Sequence, residues 1–433
     1  MVMENRYDKY KDSGIAWIGE IPEHWNKNKI IRLFSIIGSG TTPKSSKEDN
    51  YIGSVNWIQS GDINGGYIEN CKNSISDTAL KEYPTLKIYK APFIIVAMYG
   101  ASVGNISISN IDGCVNQACC VMNETKQNFK YLFYAMNSVK KYLIYKAEGG
   151  GQPNISQDKI KNTWLPIPPL SEQQSIANYL DQKCSGIDEL ITLQEEMITK
   201  LQSYKQSVIT EAVTKGLDKN VPLKDSGIEW IGEIPEHWEV IKTKNAFKII
   251  SGATPKTDNM TYWDGEIIWI TPADYKTEDR IIKSGKRNIT LAGLNSCGTS
   301  IVPENSIIFS KRAPIGLVAI NVVPLCTNQG CISCIPKSFV SSKYFYYLMS
   351  VLTEWFELFG SGTTFKELST NNFANFSLFQ PPLSEQQSIA DYLDQKCSEI
   401  DKLISIKQQK IEKLKDYKKS LIFECVTGKR KVS

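Results

Sequence analysis

The sequence predicts a mixed α/β fold with a pseudo-twofold tandem repeat, in which two globular domains are separated by two long antiparallel coiled-coil helices. Three observations support this prediction. Near-identical blocks recur 213 residues apart, at 12–25 and 225–238 and again from Pro168 and from Pro381. The segments between these blocks diverge strongly. Each copy ends in a long run in which apolar residues recur every three or four positions, as along the seam of a coiled coil.

The degree of identity differs sharply between parts of the repeat. The blocks 12–25 and 225–238 differ at one position, and the 24 residues from Pro168 match those from Pro381 at 21 positions. Duplication followed by uniform drift is the alternative, but drift would not spare one segment and erase its neighbours. We therefore interpret the chain as two similar folds with two different surfaces. Between the blocks, short islands align at an offset of 212: 39–44 with 251–256, Trp57 with Trp269, Gly104 with Gly316, and 116–117 with 328–329.

The pattern divides the chain into four segments. We predict a first globular domain at 1–167 and a first helical spacer at 168–216. A second globular domain follows at 217–380 and a second helical spacer at 381–433. The length of 433 residues is consistent with two to four domains.

Each near-constant segment is predicted to be one long helix. The Pro-Pro pairs at 168–169 and 381–382 cannot continue a preceding helix. The Ser-x-x-Gln patterns at 171–174 and 384–387 then fit a capping box at the helix start. About 44 residues of helix extend roughly 65 Å, too far to be buried within one small domain. We therefore expect the two helices to pack against each other in antiparallel orientation.

The predicted seam of this helix pair is mostly apolar. Its polar interruptions, Gln194, Lys205, Lys407 and Lys418, are expected to fix the register of the two helices. The outer faces of the helices would be free for other subunits. The predicted seam residues are Leu180, Ile187, Ile191, Ile198, Leu201, Leu393, Ile400, Ile404, Ile411 and Leu414.

The order of the segments resembles a ring of two units opened at one linker. Gly216 and Gly428 stand where the helices should end. A short linker leads from Gly216 into the second Asp-Ser-Gly motif, and the first such motif lies just after the N-terminus. We expect the two chain termini to lie near each other.

The globular domains carry strand-like runs rich in β-branched residues. Strands are expected at 93–98, 267–270, 306–310 and 316–320. Helical stretches are expected late in each copy, at 131–145 and 342–359.

Composition indicates a folded protein of the cytoplasm. The chain has no apolar run long enough for a membrane span and no signal-peptide core near its start. The odd count of eleven cysteines favours reduced thiols. Cys326, Cys331 and Cys334 have metal-like spacing, but the first copy has Met122 in place of the third cysteine, so we expect no metal site. The net charge of +4 permits a polyanionic partner without requiring one.

Loops rich in Gly, Ser, Thr and Lys lie early in each globular domain, at 39–47 and 251–256. Their backbone amides, hydroxyls and ammonium groups can meet phosphate oxygens of DNA.

Other loops differ between the copies in a way that suits base recognition. Residues 99–102 stand where the second copy has 311–314, and the polar loops 149–156 and 362–366 are also equivalent but unlike. Arg and Lys pair well with guanine, and Asn and Gln with adenine. Taken singly, each such residue is more often part of a solvated turn. The candidate DNA-binding residues are Thr41, Thr42, Lys44, Lys47, Gln59, Tyr99, Ser102, Gln152, Asn154, Thr254, Lys256, Thr271, Tyr275, Lys311, Arg312, Thr363, Thr364 and Lys366.

No catalytic or cofactor-binding motif stands out. The nearest approach to a phosphate loop, at 38–45, has Pro43 where the second glycine must be. The Asn/Asp-Pro-Pro-aromatic signature of amino-methyltransferases is absent. His24 and His237 belong to the duplicated block, so we expect them to be structural. We therefore expect no catalytic residue and no cofactor in this chain.

Across all 433 residues the chain resembles the specificity subunits of type I restriction–modification systems. The resemblance is carried by Ile-Pro-Glu-His-Trp at 21–25 and 234–238, by Ser-Gly-Thr/Ala-Thr-Pro-Lys, and by Pro-Pro-Leu-Ser-Glu-Gln-Gln-Ser-Ile-Ala from Pro168 and Pro381. It implies that each globular domain is a target recognition domain for one half of a split DNA sequence. The helix pair would set the gap between the halves. Two methyltransferase (M) subunits with S-adenosylmethionine and two restriction (R) subunits using ATP and Mg would be the partners.

Two alternatives are open at this point. One is a self-contained methyltransferase or nuclease, which the absent motifs disfavour. The other is a coiled-coil scaffold that never touches bases. Exchange of residues 26–166 for the corresponding domain of a relative would leave the methylated sequence unaltered in a scaffold and would change half of it in a DNA-reading subunit.

Overall fold

The computed structural model describes residues 6–145, 147, 154–228, 232–312, 314–361 and 366–432. The strands of the first copy are β1 (Tyr10–Asp12), β2 (Glu20–Pro22), β3 (Asn26–Lys29), β4 (Ile36–Gly38), β5 (Val55–Ile58), β6 (Tyr67–Ile68), β7 (Ser74–Ile75), β8 (Phe93–Ala97), β9 (Ile106–Ser109), β10 (Cys114–Val115), β11 (Cys119–Asn123) and β12 (Trp164–Ile167). Its helices are α1 (Asp77–Glu82), α2 (Phe129–Ser138), α3 (Lys140–Tyr145), α4 (Gln157–Lys161) and the long α5 (Leu170–Lys215).

The second copy repeats this series. Its strands are β13 (Leu223–Asp225), β14 (Glu233–Pro235), β15 (Glu239–Lys242), β16 (Phe247–Ser251), β17 (Trp263–Ile270), β18 (Ile281–Ile282), β19 (Arg287–Ile289), β20 (Ile307–Lys311), β21 (Ile315–Asn321), β22 (Cys326–Thr327), β23 (Cys331–Pro336) and β24 (Ser377–Gln380). Its helices are α6 (Thr243–Ala246), α7 (Leu291–Asn295), α8 (Ser342–Ser350), α9 (Thr353–Leu358), α10 (Thr370–Asn375) and the long α11 (Leu383–Val426). The helical stretches expected at 131–145 and 342–359 are each formed by two consecutive helices.

The strands pair in the same order in both copies. In the first copy a five-stranded sheet has the order β4-β11-β8-β9-β6 and a three-stranded sheet has the order β10-β5-β7. The second copy has β16-β23-β20-β21-β18 and β22-β17-β19. Even the parallel pairs recur, because β6 with β9 and β18 with β21 are both parallel. The mixed α/β class and the tandem repeat are thereby confirmed.

The central strand of the large sheet is buried on both faces. Side chains alternate between the faces of a strand. Ile94 and Val96 of β8 therefore pack in the core that includes α2, whereas Phe93 and Ile95 pack in a second core beside the small sheet, with Ile58. Strand β20 divides its side chains between two cores in the same way.

The chain forms two compact units, each of which combines one globular domain with parts of both long helices. Unit 1 consists of Met1–Gln194 and Gln409–Ser433, and unit 2 of Glu195–Gln408. Both long helices lie within the spacers predicted at 168–216 and 381–433.

In unit 2 the two long helices run antiparallel. The Lys205 ammonium on α5 lies 2.7 Å from the Asp401 carboxylate on α11. Further towards the start of α5, the Met197 sulfur lies 3.1 Å from the Lys407 ammonium. Residue numbers therefore rise along one helix as they fall along the other, as the sequence predicts.

Unit 1 contains the equivalent half of the pair. Asp188 accepts the Lys418 ammonium at 2.6 Å, which is the same ion pair in the other half of the repeat. Leu180, near the start of α5, shares a core with Leu421 and Cys425, near the end of α11. The helices are therefore antiparallel in this unit as well, and two of the expected polar interruptions form cross-helix ion pairs.

The predicted seam positions are buried or half-buried along both helices. Side chains at Leu180, Ile187, Leu393, Ile400 and Ile411 are buried. The remaining predicted seam residues, Ile191, Ile198, Leu201, Ile404 and Leu414, are half-buried.

The helix starts differ from the predicted capping box. The helix α5 begins at Leu170, so Ser171 lies inside its first turn. Gln173 holds the start instead, because its fully buried amide donates to the Pro168 carbonyl at 2.8 Å. Gln386 makes the same bond to Pro381. The capping-box prediction was wrong because the helix starts at Leu170, two residues before the start that a Ser171 cap would give.

Both helix ends have the left-handed glycine that the sequence predicts. Gly216 has a φ of +75° and Gly428 a φ of +72°. Within unit 1 the Tyr10 hydroxyl donates to the Gly428 carbonyl at 2.9 Å, and Lys429 donates to the Glu20 carbonyl at 2.7 Å. The two ends of the described chain are therefore close together, as expected for a ring opened at one linker.

Each globular domain contacts the C-terminal end of the long helix from the other copy through a buried tyrosine. In unit 1 the buried Tyr131 donates to the Val426 carbonyl at 3.2 Å. In unit 2 the equivalent Tyr344 donates to the Val213 carbonyl at 3.0 Å.

The duplicated Ile-Pro-Glu-His-Trp block packs against the start of the long helix. Glu172, in the first turn of α5, accepts the Trp25 indole N–H at 2.8 Å and lies 2.6 Å from His24 Nε2. A carboxylate is favourable at a helix N-terminus. The same contacts to Glu385 recur 213 residues later. The histidines therefore have structural contacts in both copies.

Candidate nucleic-acid interface

The first component of the candidate interface is the Gly-Ser-Thr-Lys loop at 39–44 and its copy at 251–256. Gly40 runs so close to β10 that an added Cβ would lie 1.6 Å from the Val115 carbonyl oxygen. For Gly252 the corresponding distance to the Thr327 oxygen is 2.1 Å. Only glycine allows this approach, which explains why it stands at both positions.

A glutamine fixes each loop from the neighbouring strand connection. The Thr42 hydroxyl donates to the Gln117 side-chain oxygen at 2.6 Å, and Thr254 makes the same bond to Gln329. These glutamines are not among the DNA-binding residues predicted from the sequence. The islands 116–117 and 328–329 share the offset of 212 with the loops, and this signal could have identified them.

Different aromatic residues anchor the two loops. In unit 1 the Tyr51 hydroxyl donates to the Pro43 carbonyl at 2.5 Å, and the Tyr83 hydroxyl accepts the Lys44 N–H at 3.1 Å. In unit 2 two tryptophans anchor the loop. The Trp263 indole N–H donates to the Lys256 carbonyl at 3.1 Å, and the Trp269 indole N–H donates to the Ala253 carbonyl at 3.0 Å. Lys44 and Lys256 themselves are exposed.

The second component is formed where the central strand meets a late loop. Tyr99, just after β8, forms an isolated antiparallel β-bridge through its backbone with Asn154. Arg312, just after β20, forms the same kind of bridge with Glu367. In each unit, two loops that were predicted separately from the sequence therefore lie side by side.

The alignment of these strand ends needs a correction of one residue. Met98 donates its N–H to Ala118 and accepts from Ile155. Equivalently, the Lys311 N–H donates to the Gly330 carbonyl, and the Lys311 carbonyl accepts from the Leu368 N–H. Lys311-Arg312 therefore replaces Met98-Tyr99, and not Tyr99-Gly100. A register shift between Phe309 and Lys311 accompanies the difference.

The exchange introduces a cluster of charges in unit 2. The Lys311 ammonium lies 2.8 Å from the Glu367 carboxylate, and the Arg312 guanidinium lies 3.9 Å from its other oxygen. Side-chain exposure is 13% for Lys311, 37% for Arg312 and 41% for Glu367. Glu367 is not among the DNA-binding residues predicted from the sequence, although it aligns with Asn154 at the offset of 213.

Four further predicted DNA-binding residues make contacts within the protein. The prediction that Tyr275 binds DNA is corrected by its burial. Tyr275 is 3% exposed and its hydroxyl faces the Cys331 sulfur, so it cannot reach a base from this position. Gln59 and Thr271 cap one-turn helices in capping boxes. Lys47 pairs with Glu82 at 2.9 Å.

The other predicted residues lie at or near the two components. Thr41 and Thr42 belong to the first loop, and Ser102 follows Tyr99 in the turn after β8, half-buried. Lys366 is exposed next to Glu367. Gln152, Thr363 and Thr364 lie outside the described residues.

A groove of about 1720 Å³ lies in unit 1 between α2, α3 and the helix pair, lined in part by Gly66, Tyr67 and Asp181. In unit 2 Arg280 occupies the position of Gly66. The Ile320 N–H donates to the Arg280 carbonyl, just as the equivalent Ile108 N–H donates to the Gly66 carbonyl in unit 1. The Arg280 side chain bonds to Asp394.

This arginine completes a polar network in unit 2. Desolvation alone would raise the pKa of Asp394, but hydrogen bonds from Arg280, Tyr347 and Lys343 hold the pKa below its ordinary value of 3.8. The Arg280 guanidinium also lies 5.2 Å from the centre of the Tyr347 ring.

The cysteines are free thiols, nine of them buried. Burial raises the pKa of Cys326 and Cys331 to about 12. Within the part of the chain that the structure describes, no group of three His, Cys, Asp or Glu side chains is placed to hold a metal ion. No helix among these residues is both long and apolar enough to cross a membrane.

Comparison with known proteins identifies the family. A family model described as "Type I restriction modification DNA specificity domain" matches the chain twice, at residues 22–202 and 235–416. The putative type I restriction enzyme MjaX specificity subunit of Methanocaldococcus jannaschii is 28% identical and aligns over 100% of both chains. The MjaVIII specificity subunit of the same organism is 30% identical over 70% of each chain.

Solved structures agree on the fold. A chain from a structure described as "Structural basis underlying complex assembly and conformational transition of the type I R-M system" is similar with a TM-score of 0.75 at 16% identity, over 94% of this chain and 99% of that chain. The matches disfavour a scaffold that never touches bases. The chain belongs to the family of type I restriction–modification specificity subunits.

Proposed function

We propose that each globular domain reads one half of a split DNA sequence and that the chain itself performs no chemistry. One observation carries this proposal. Equivalent backbone hydrogen bonds at Met98 and Lys311 support unlike side chains at the same strand end. Two distinct base sequences require two different sets of contacting side chains. A duplicated backbone with different side chains at the same positions meets this requirement.

The two components divide the work of binding. The loops at 39–44 and 251–256 would contact phosphates through backbone amides, hydroxyls and the exposed Lys44 and Lys256, which positions the domain without selecting a sequence. The strand ends at Tyr99 and Arg312 would then face base edges.

The helix pair would set the unspecified gap between the two half-sites. A long α-helix is stiff, and the Lys205–Asp401 and Lys418–Asp188 ion pairs favour one register over a shifted one. A fixed register gives a fixed gap.

The outer faces of the helices support docking of two copies of one partner. Leu190, Leu193 and Tyr204 are exposed on α5. Their equivalents Leu403, Ile406 and Tyr417 are exposed on α11, so the apolar stripe is duplicated with the helix. Exposed apolar patches of this kind mark interaction sites, and two M subunits fit a surface that occurs twice.

The chemistry would reside in the partners, in the cytoplasm. The M subunits would supply S-adenosylmethionine and methylate adenines, and R subunits would supply cleavage that depends on ATP and Mg. This chain would select the sequence on which both act.

The direct experiment compares methylated adenines genome-wide in cells with the complete system and in cells that lack only this chain. The proposal predicts a two-part motif with a constant gap that loses methylation when the chain is deleted. Restoring the chain should restore the motif. An unchanged methylation pattern after deletion contradicts the proposal.

A further inference from the structure

Three side chains change together at one place on the frame. Met98, Tyr99 and Asn154 in unit 1 correspond to Lys311, Arg312 and Glu367 in unit 2. A neutral trio is thus replaced by two cations and one anion at matching backbone positions.

The fold does not require these charges. Unit 1 makes the equivalent backbone bonds with Met98 buried in its core. Placing the Lys311 ammonium at a site where the other unit has a methionine adds desolvation without a matching gain in stability, since partly exposed ion pairs contribute little. The cluster therefore has a purpose other than stability.

The geometry assigns a different task to each member. Lys311 is mostly covered and holds Glu367 at 2.8 Å, so it is a positioning residue. Arg312 is more exposed, and its 3.9 Å separation from Glu367 is too long for a hydrogen bond. The Glu367 carboxylate therefore orients the Arg312 guanidinium by charge without accepting a hydrogen bond from that nitrogen.

We infer that Arg312, oriented by Glu367 and Lys311, reads the guanine of a G·C pair in the half-site of the second globular domain. Guanine presents two acceptors in the major groove, and the planar guanidinium fork matches them in a bidentate pair. Tyr99 offers no such fork at the equivalent position, so the first half-site lacks this contact. The inference rests on the proposed function and adds the base and the residue.

The test uses the assembled complex of this chain with its M subunits and begins from the motif found in wild-type cells. Duplexes that carry this motif with the second half randomised, one position at a time, compete for binding. Arg312→Ala should flatten the preference at one G·C position by about 5- to 150-fold, the range expected for loss of one bidentate pair. Arg312→Lys should retain part of the preference.

The matched control is Lys244→Ala, which removes one exposed positive charge from the same domain. It should lower affinity for all duplexes alike or leave it unchanged, without altering preference at any position. Tyr99→Ala should alter the first half of the motif only.

The outcomes separate the two claims. Absence of any chain-dependent motif in wild-type cells overturns the proposed function itself. If the motif exists but Arg312→Ala behaves as Lys244→Ala does, relaxes an A·T position or relaxes both halves, the assignment of Arg312 is wrong. Loss of one G·C preference in the second half alone supports it.

Discussion

Units 1 and 2 share a backbone frame and differ in what they place on it. The strand orders, the Trp–Glu contact at the helix start and the tyrosine bond to the far helix end are the same in both. At two positions they differ completely, with Gly66 against Arg280 and Met98 against Lys311. Backbone hydrogen bonds and buried aromatic residues therefore define the fold, which leaves the strand-end side chains free to diverge for recognition.

The largest expected effect concerns the shared frame. Trp25→Ala and Trp238→Ala each remove a fully buried indole that bonds to a glutamate at the helix start. Each substitution should lower the free energy of unfolding by about 3–5 kcal/mol, and the two losses should be similar. Hydrogen exchange of unit 1 and unit 2 in each variant measures this.

Tyr145→Ala is the control for these variants, because Tyr145 is 84% exposed and should change stability little. A large effect of Trp25→Ala together with a negligible effect of Trp238→Ala would show that the two frames are not energetically equivalent.

A smaller effect is expected where the units differ. Arg280→Met removes the cation that bonds to Asp394, and should destabilise the protein by about 1 kcal/mol at pH 7. The folded-state pKa of Asp394 lies below 3.8, so its stabilising contribution is present above that value and is lost as the pH falls through the folded-state pKa. Urea unfolding between pH 7 and pH 3 should show the wild-type and variant stabilities converging in acid.

Arg287→Met is the matched control, because Arg287 stacks on Trp263 at 4.0 Å and its loss should not depend on this carboxylate. A loss of stability in Arg280→Met that stays constant from pH 7 to pH 3 would mean that Arg280 acts through packing and not through its charge.

The smallest effect is expected in the helix pair. Lys205→Met and Lys418→Met remove equivalent ion pairs whose side chains are 29–56% exposed. Because exposed ion pairs contribute little and methionine packs well in an apolar seam, unfolding free energies should change by less than about 1 kcal/mol. A loss of more than about 2 kcal/mol in thermal or urea unfolding would show that the pairs stabilise the helices and do not only select their register.

Features that depend on local pattern could be predicted from the sequence. The long helices, their antiparallel pairing, the glycines at their ends and the closeness of the chain ends all follow from apolar periodicity and the repeat. The islands at an offset of 212 also placed the loop at 39–44 correctly against its copy.

Features that depend on tertiary contacts could not be predicted in this way. Tyr275 stands in a polar sequence context, and only the fold shows that it is buried against Cys331. The register shift before Lys311 misplaced the strand-end comparison by one residue, because sequence alignment does not detect a bulge. Glu367 and Arg280 acquire their roles from partners 56 and 114 residues away, Lys311 and Asp394.

The central claim, that one duplicated frame presents two separate reading surfaces, is tested most directly by a chimera in which residues 26–167 also replace residues 239–380. The helix pair and both joining blocks stay unchanged. Mapping of methylated adenines in cells that carry the chimera and the M subunits should show a motif whose two halves are both the first half of the wild-type motif, with the original gap. Retention of the wild-type second half in a folded chimera would contradict the account.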